Sequence, residues 1–539
     1  MKKMDKTYLR YCFETLSLLL LIALISGCNS TVKKPDISVD EMKRIVKTLS
    51  SDEFMGRMPF TEGEKVTVKF LADELKNAGF EPPFEGSYFQ KVPMIKITSK
   101  VVDNTVIINV KGEKMPLSAP DEIAINSLVP EEKIELTNAR LVFCGFGIND
   151  SKLSWDDYAG VDMKGKIAVV LINDPGFYTN DSTLFRGREM TIYGRWTYKY
   201  EQAAREGAAG VLIIHESTGA GYDYNVPRNS SISGHLSIDC EDKTPVCQVN
   251  GWLPEKSAVK ILEKLGYNLQ ELRAASCVKG FKPFELDANM TISIKNQVEK
   301  NNSVNVAGIL KGTDKSNESV VISAHWDHFG IGEPQDGDSI FNGAVDNGTA
   351  IAWALETGRA CVKATPRPVR SLIILFPTAE EQGLVGSDYY AGHPATTGKI
   401  MACINNDLML PRGKMKDVTM IGYGYSTLDS LYAEAAAIQG RYLFPDPESH
   451  TGLFFRSDHF SFFKRGIPSI WARGCYDSRE KGKDKAKEEW QNYIKNVYHR
   501  PADNYNENWD WSGLVEDTEL TYYVVQNLIR TNKIRPRNL

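Results

Sequence analysis

Along the C-terminal half of this 539-residue chain, residues that bind metals or move protons occur in a fixed order: His325, Asp346, the pair Glu380-Glu381, Asp407 and His499. They stand in the stretches Ser323-Ala324-His325-Trp326-Asp327-His328, Gly343-Ala344-Val345-Asp346-Asn347, Asn405-Asn406-Asp407 and Tyr498-His499-Arg500-Pro501. Imidazole nitrogens and carboxylate oxygens are the zinc ligands of catalytic sites. Two His, two Asp and one Glu can hold two zinc ions, with the second Glu left as a base, which is the equipment of a two-metal hydrolase. Asp327, two residues beyond His325, is expected to orient that imidazole. Glu380 and Glu381 would repel each other unless a cation or a proton relieved them.

These residues need elements to bring them together. From Val304 onward the chain alternates strand-like and helix-like patterns. Strands are expected at 304–310, 320–324, 371–377, 400–404 and 467–471, and helices at 348–361, 428–439 and 514–531. Such alternation predicts an α/β fold, a mostly parallel mixed sheet flanked by helices on both faces. His325, Glu381, Asp407 and, less directly, Asp346 then fall near the C-terminal ends of strands, where open α/β sheets bind ligands. The charge run Lys481–Glu489 reads as a solvated helix or loop. Nearer the N-terminus, Ser38 caps a helix reaching Leu49. A second helix carries Val66, Phe70, Leu71, Leu75 and Ala78 and stops at Gly79, and 101–110 alternates as a half-buried strand.

Bulk composition excludes some classes. A hydrophobic content of 42% with 25% charged residues fits a folded protein, and a net charge of −5 supplies no basic footprint for nucleic acid. The first 28 residues differ: Lys2, Lys3, Lys6 and Arg10 precede the apolar run Leu16–Ile25, followed by Ser26-Gly27-Cys28. The run is too short to span a bilayer but suits a secretion signal. Its ending resembles a bacterial lipobox, which implies cleavage before Cys28 and lipid attachment to it. Residues 1–27 are thus expected to be a lipoprotein signal peptide and 28–38 a tether. The resemblance implies a chain exported and lipid-anchored in a bacterial envelope. The seven remaining cysteines are widely spread and make no disulfide framework; Cys240 and Cys247 are the pair that export would permit to join.

The stretch Lys164–Leu171, followed by Ala203-Ala204-Arg205-Glu206-Gly207-Ala208-Ala209-Gly210-Val211-Leu212-Ile213, resembles the protease-associated domain. That places a β-rich α/β insertion at 130–285, between an N-terminal part of the catalytic domain at 39–129 and the rest of it at 286–535. The motif series H-x-D, G-A-x-D-N, E-E, N-x-D and Y-H resembles the co-catalytic zinc aminopeptidase and glutamate carboxypeptidase family of metallopeptidases (clan MH). The resemblance implies two zinc ions: His325 and Asp407 on one, Glu381 and His499 on the other, Asp346 bridging. It makes Glu380 the general base, Asp327 the partner of His325 and Tyr498 a polariser of the scissile carbonyl, and it implies a cis Asp346–Asn347 peptide. Arg456-Ser457-Asp458-His459 and Gly466-Ile467-Pro468 resemble the family's segment beside the substrate pocket. There His459 either bonds substrate or braces its loop; His328, His393 and His450 carry no role beyond structure.

The resemblance implies a peptide substrate and an exopeptidase, with an aminopeptidase favoured. A carboxypeptidase on the same site would need a basic pocket, for which Arg456 and Arg473 are open choices. Glutaminyl cyclase chemistry departs from the full two-metal set, and a non-catalytic binding module would have lost ligands that this chain keeps. Oligomeric state is not legible.

Overall fold

The computed structural model describes residues 33–239, 245–531 and 535–538. The expected signal segment, Cys28 and Cys240 lie outside these residues. Of the first compact unit, Met1–Asp36, only residues 33–36 are described, and they form neither helix nor strand. Among the described residues no helix is long and apolar enough to cross a membrane.

Ile37–Leu539 is the second unit, and among its described residues a sixteen-stranded sheet runs through it. At its centre Lys315–Ser323 lies parallel between Arg370–Phe376 and Ile400–Asn405, and Ser469–Arg473 continues the parallel set. Ile322 pairs with Ile374 on one side and Ile404 on the other, all fully buried. Continuous Val/Ile/Leu runs such as Ser-Leu-Ile-Ile-Leu-Phe have this consequence: a parallel strand is covered on both faces and cannot alternate. The fold is α/β with a mixed, mostly parallel sheet, as the strand–helix alternation implied.

Three helices cover this centre. Ala350–Lys363 is buried along most of its length, and its small residues let it pack tightly. Trp353 donates from Nε1 to Thr521 Oγ1 at 3.1 Å, joining it to the closing helix Ser512–Ile529. The Ser38 side chain caps Val39–Leu49 by accepting from the Glu41 N–H, and the Ser38 N–H bonds Glu356. The charged stretch near 481 is the helix Gly482–Asn496; Ala486, Trp490 and Tyr493, at helical spacing, form its buried stripe.

Two elements differ from expectation. The stretch 101–110 is not one strand: Phe89–Val101 turns through Asp103 and Asn104, at φ of 54° and 50°, into Thr105–Val110. Asp and Asn tolerate this left-handed conformation, so a polar pair that fits an alternating pattern also makes a turn. The strand expected at 304–310 is the end of Phe284–Leu310, a 27-residue strand. It pairs antiparallel with Arg370–Phe376 at one end and with Lys133–Phe143 at the other. Beyond it, Lys133–Phe143, Ile167–Leu171, Gly210–His215 and Val249–Pro254 run parallel to one another. This second parallel set has its own apolar clusters.

Candidate metal centre

Three neighbouring parallel strands deliver the central residues. His325 lies two residues past Ser323, Glu380 four past Phe376, and Asp407 two past Asn405. Parallel strands end on the same side, so these side chains meet in one crevice. Asp346 enters from the tight turn Ala344–Thr349, ahead of the helix Ala350–Lys363. His499 arrives from the loop after Gly482–Asn496, with φ of 56°.

The five side chains converge. His325 Nε2 is 3.4 Å from Asp346 Oδ1 and 3.4 Å from Asp407 Oδ1. His499 Nε2 is 3.3 Å from Asp346 Oδ2 and 3.1 Å from Glu381 Oε2. One carboxylate, Asp346, therefore faces one histidine with each oxygen. N–H···O bonds cluster at about 2.7–3.2 Å, and three of these four separations exceed that range. Nitrogen and oxygen ligands about 2.0–2.1 Å from a tetrahedral zinc stand about 3.3–3.4 Å apart, the edge of the tetrahedron. Among the described residues Asp407 Oδ1 and His499 Nε2 are buried without a hydrogen bond of acceptable geometry. Spacing, donor types and orphaned atoms all fit divalent cations. The groups His325/Asp346/Glu381 and His325/Glu380/Asp407 both qualify as ligand clusters, so geometry alone also brings Glu380 within reach of an ion.

The surroundings separate the two adjacent glutamates. Burial pushes Glu380 well above the ordinary carboxylate range; His325 opposes this, while Glu381 and Asp407 reinforce it. Burial and Asp346 also push Glu381 upward, but His499 and His328 outweigh them and hold it at about 2. Paired acids driven apart in this way mark one as a proton carrier and the other as a permanent anion.

Asp327 is buried beside His325 in an unexpected manner. The His325 Nδ1 contact at 3.1 Å is to the main-chain oxygen of Asp327, and the carboxylate is 4.0 Å away. The carboxylate instead accepts the Glu380 and Glu381 N–H groups at 3.0 and 3.3 Å, fixing the backbone that carries both glutamates. Tyr498 is half-buried with its ring stacked on His499, centroids 3.7 Å apart. His459 is wholly buried between Phe454 and Trp471, and burial lowers its pKa to about 3. Aromatic packing of this kind braces the loop. The Asp346–Asn347 peptide is cis.

Several supporting residues carry no sequence signal that separates them from ordinary polar positions. His328 Nδ1 is 2.7 Å from Glu381 Oε1, which leaves Oε2 to face His499. Asp503 accepts the Val345 and Asp346 N–H groups, and Ser457 Oγ donates to Asp407 Oδ2 at 2.9 Å. Gly343, at φ of 57°, has no room for a Cβ, which would stand 2.1 Å from the Asp346 oxygen. Arg57, at the end of the turn Asp52–Arg57, donates to five main-chain oxygens, four of them on the loops that carry the centre. Replacing His328 by Ala is expected to weaken metal retention about 10–100-fold, the usual cost of losing a partner behind a ligand. Competition with a chelator checks this, and unchanged retention would remove His328 from the centre's support.

Buried histidines and carboxylates at the C-terminal edge of a parallel sheet are an arrangement of the kind metal-dependent hydrolases use. Residues 305–525 match the model of Peptidase family M28. Among curated relatives, a "probable leucine aminopeptidase 2" of Aspergillus oryzae is 24% identical over 412 residues, 75% of this chain and 66% of its own length. "Aminopeptidase NAALADL1" of Rattus norvegicus is 35% identical over 115 residues, 20% of this chain and 14% of its own. The chain thus spans less than two thirds of either relative. A solved aminopeptidase from Aneurinibacillus sp. strain AM-1 aligns over 92% of this chain and 95% of its own, at 19% identity and a TM-score of 0.49.

Proposed function

We propose that the protein is a zinc-dependent exopeptidase acting as an aminopeptidase, with two ions held by His325, Asp346, Glu381, Asp407 and His499. The observation that carries this reading is the Asp346 carboxylate, one oxygen 3.4 Å from His325 and the other 3.3 Å from His499. It suits a bridging ligand, with Asp407 completing the His325 side and Glu381 the His499 side. When bound, the ions supply Lewis-acid polarisation of water and of the peptide carbonyl. Glu380, its proton affinity raised by burial, takes the proton of the attacking water and delivers it to the leaving amine. Asp327 holds Glu380 in place through the main chain, and Tyr498, its ring stacked on His499, is read as the donor to the developing oxyanion. Both named relatives are aminopeptidases, which supports the choice of end.

Residues 130–285 are read as a protease-associated insertion flanking the cleft, and the chain as exported and lipid-anchored through Cys28. A matched peptide series tests the activity: free amino terminus, acetylated amino terminus and amidated carboxyl terminus, each with and without chelator. Cleavage is expected to vanish on acetylation and on metal removal. Cleavage that survives acetylation but fails on amidation would replace the aminopeptidase by a carboxypeptidase; cleavage indifferent to chelator would overturn the metal role.

A further inference from the structure

Glu64 is a buried carboxylate without an ion-pair partner among the described residues. It stands in the first turn of the helix Glu62–Asn77 and is 9% exposed. Burial raises its pKa, against the Phe60 N–H and the Ser303 hydroxyl, which favour the anion. One oxygen has a local use: Oε2 accepts the Phe60 N–H ahead of the helix, as capping glutamates do. The other reaches into the catalytic half. Oε1 accepts from Ser303 Oγ at 3.0 Å, and Ser303 Oγ lies 2.6 Å from Thr378 Oγ1. Ser303 and Thr378 are wholly buried. A hydroxyl has one proton to give; Ser303 gives its own to Glu64, so Thr378 donates to Ser303. The chain runs Thr378, Ser303, Glu64, and the carboxylate at its end sets that direction.

Thr378 opens the loop that carries Glu380 and Glu381. This loop, 378–386, folds back on itself. The Gly386 N–H donates to the Thr378 carbonyl at 2.9 Å and the Val385 N–H to that of Ala379 at 3.1 Å. The Gly383 and Leu384 N–H groups share the Glu380 carbonyl at 2.9 and 3.0 Å. Ala379 and Leu384 have φ of 53° and 63°, a conformation that such residues keep only where their surroundings hold it. Asn305 ties the two ends: its Oδ1 accepts the Thr378 N–H at 3.0 Å and its Nδ2 donates to the Gly386 carbonyl at 2.8 Å. Ser303 and Asn305 alternate along the strand Phe284–Leu310, so both present their side chains to this loop.

We propose that Glu64 and Ser303 are positioning residues: through the Thr378 hydroxyl they hold the loop 378–386, and with it the side chains of Glu380 and Glu381. The proposal rests on the peptidase reading for what Glu380 does once it is placed. A proton carrier acts only within hydrogen-bond reach of its target, and Asp327 fixes no more than two main-chain N–H groups of this loop. Arg57 and Glu64 thus extend from one N-terminal segment to the loops of His325, Asp346 and the glutamate pair.

Two readouts test it on the metal-loaded protein. Thr378→Val removes the hydroxyl and keeps the shape, Thr378→Ser keeps the hydroxyl, and Ser303→Ala cuts the chain one link further on. Without turnover, hydrogen exchange of the amides of residues 383–386 is expected to quicken at least about tenfold in Thr378→Val and Ser303→Ala, the opening that one lost hydrogen bond warrants. The amides of the strand Arg370–Phe376 should keep their rates, and Thr378→Ser should match the wild-type protein. With turnover of Leu-Ala-amide, kcat should fall at least about tenfold in the same two variants, since a small misplacement costs up to about 10²-fold. KM and metal content should hold, and Thr378→Ser should restore kcat. The double variant should lose no more than the worse single one, because the chain acts as a unit. Unchanged exchange in Thr378→Val, exchange that quickens equally in the central strand, or a quickened loop with unchanged kcat would each overturn the positioning role. If the wild-type protein cleaves no peptide, the peptidase reading fails, while the exchange comparison still decides whether the chain holds the loop.

Discussion

Glu380→Gln is expected to retain its metal and lower kcat by about 10²–10⁴-fold, the range that a positioned general base contributes. The substitution preserves shape and changes only the capacity to carry a proton. Its backbone is held from outside, because Asp327 accepts the N–H groups of both residues 380 and 381; the variant should therefore fold unchanged. Glu380 Oε2 stands 3.9 Å from His325 Nε2, farther than Asp346 or Asp407 at 3.4 Å. Its burial among Glu381, Asp407 and Asp458 favours the protonated acid, whereas Glu381 is held ionised. A rival assignment follows from the cluster His325/Glu380/Asp407, in which Glu380 itself is a ligand. Metal analysis and steady-state kinetics on one preparation separate the two. Full metal with collapsed kcat establishes the base, a lost equivalent of metal makes Glu380 a ligand, and unchanged kcat removes it from the chemistry.

The residues of this centre were legible in the sequence because their chemistry is concentrated in short motifs next to strand ends. Glu380-Glu381 four residues past the apolar run 372–376 is hard to explain as surface, and His325 and Asp407 follow similar runs. The central sheet was legible for the same reason: a strand buried on both faces leaves a run of Val, Ile and Leu that polar surfaces do not imitate. What escaped has a different physical character. Arg57 acts through hydrogen bonds to oxygens of residues 8 to 289 positions away, and no local pattern encodes partners so distant. His328 lies in the same motif as His325, yet its role depends on which Glu381 oxygen it meets. Asp327 was expected to grip an imidazole by its side chain, but its carboxylate serves main-chain N–H groups, a choice set by loop conformation. The turn at Asp103-Asn104 escaped because polar residues satisfy both alternation and a reversal.

Arg57→Met is expected to cost about 4 kcal/mol or more, placing it among the few most damaging single substitutions, and to abolish metal retention. The guanidinium is fully buried and donates to Leu49, Trp326, Asn342, Gly343 and Asp346 oxygens at 2.5–3.1 Å. Met keeps the volume but leaves those oxygens without their donor, and each buried polar group so stranded costs about 1–3 kcal/mol. Part of the loss is regained by relaxation and by solvent, so the sum over five is a ceiling rather than an expectation. Burial alone would disfavour the cation, and it lowers Arg57 to about 10; nearby Asp346, Asp503, Asp327 and Glu381 work against that drop. The charge therefore persists at neutral pH and offsets part of the negative field of the centre. Three of its acceptors flank the ligands themselves: Trp326 follows His325, Gly343 opens the Asp346 turn, and the last is the Asp346 carbonyl. Lysine cannot replace it, since one ammonium has three donors and no planar fork; Arg57→Lys should fall near Met rather than near the wild-type protein. Urea denaturation of metal-loaded and chelated samples measures both effects. A loss below about 1 kcal/mol with full metal content would show that these loops hold themselves, and that Arg57 merely fills space between them.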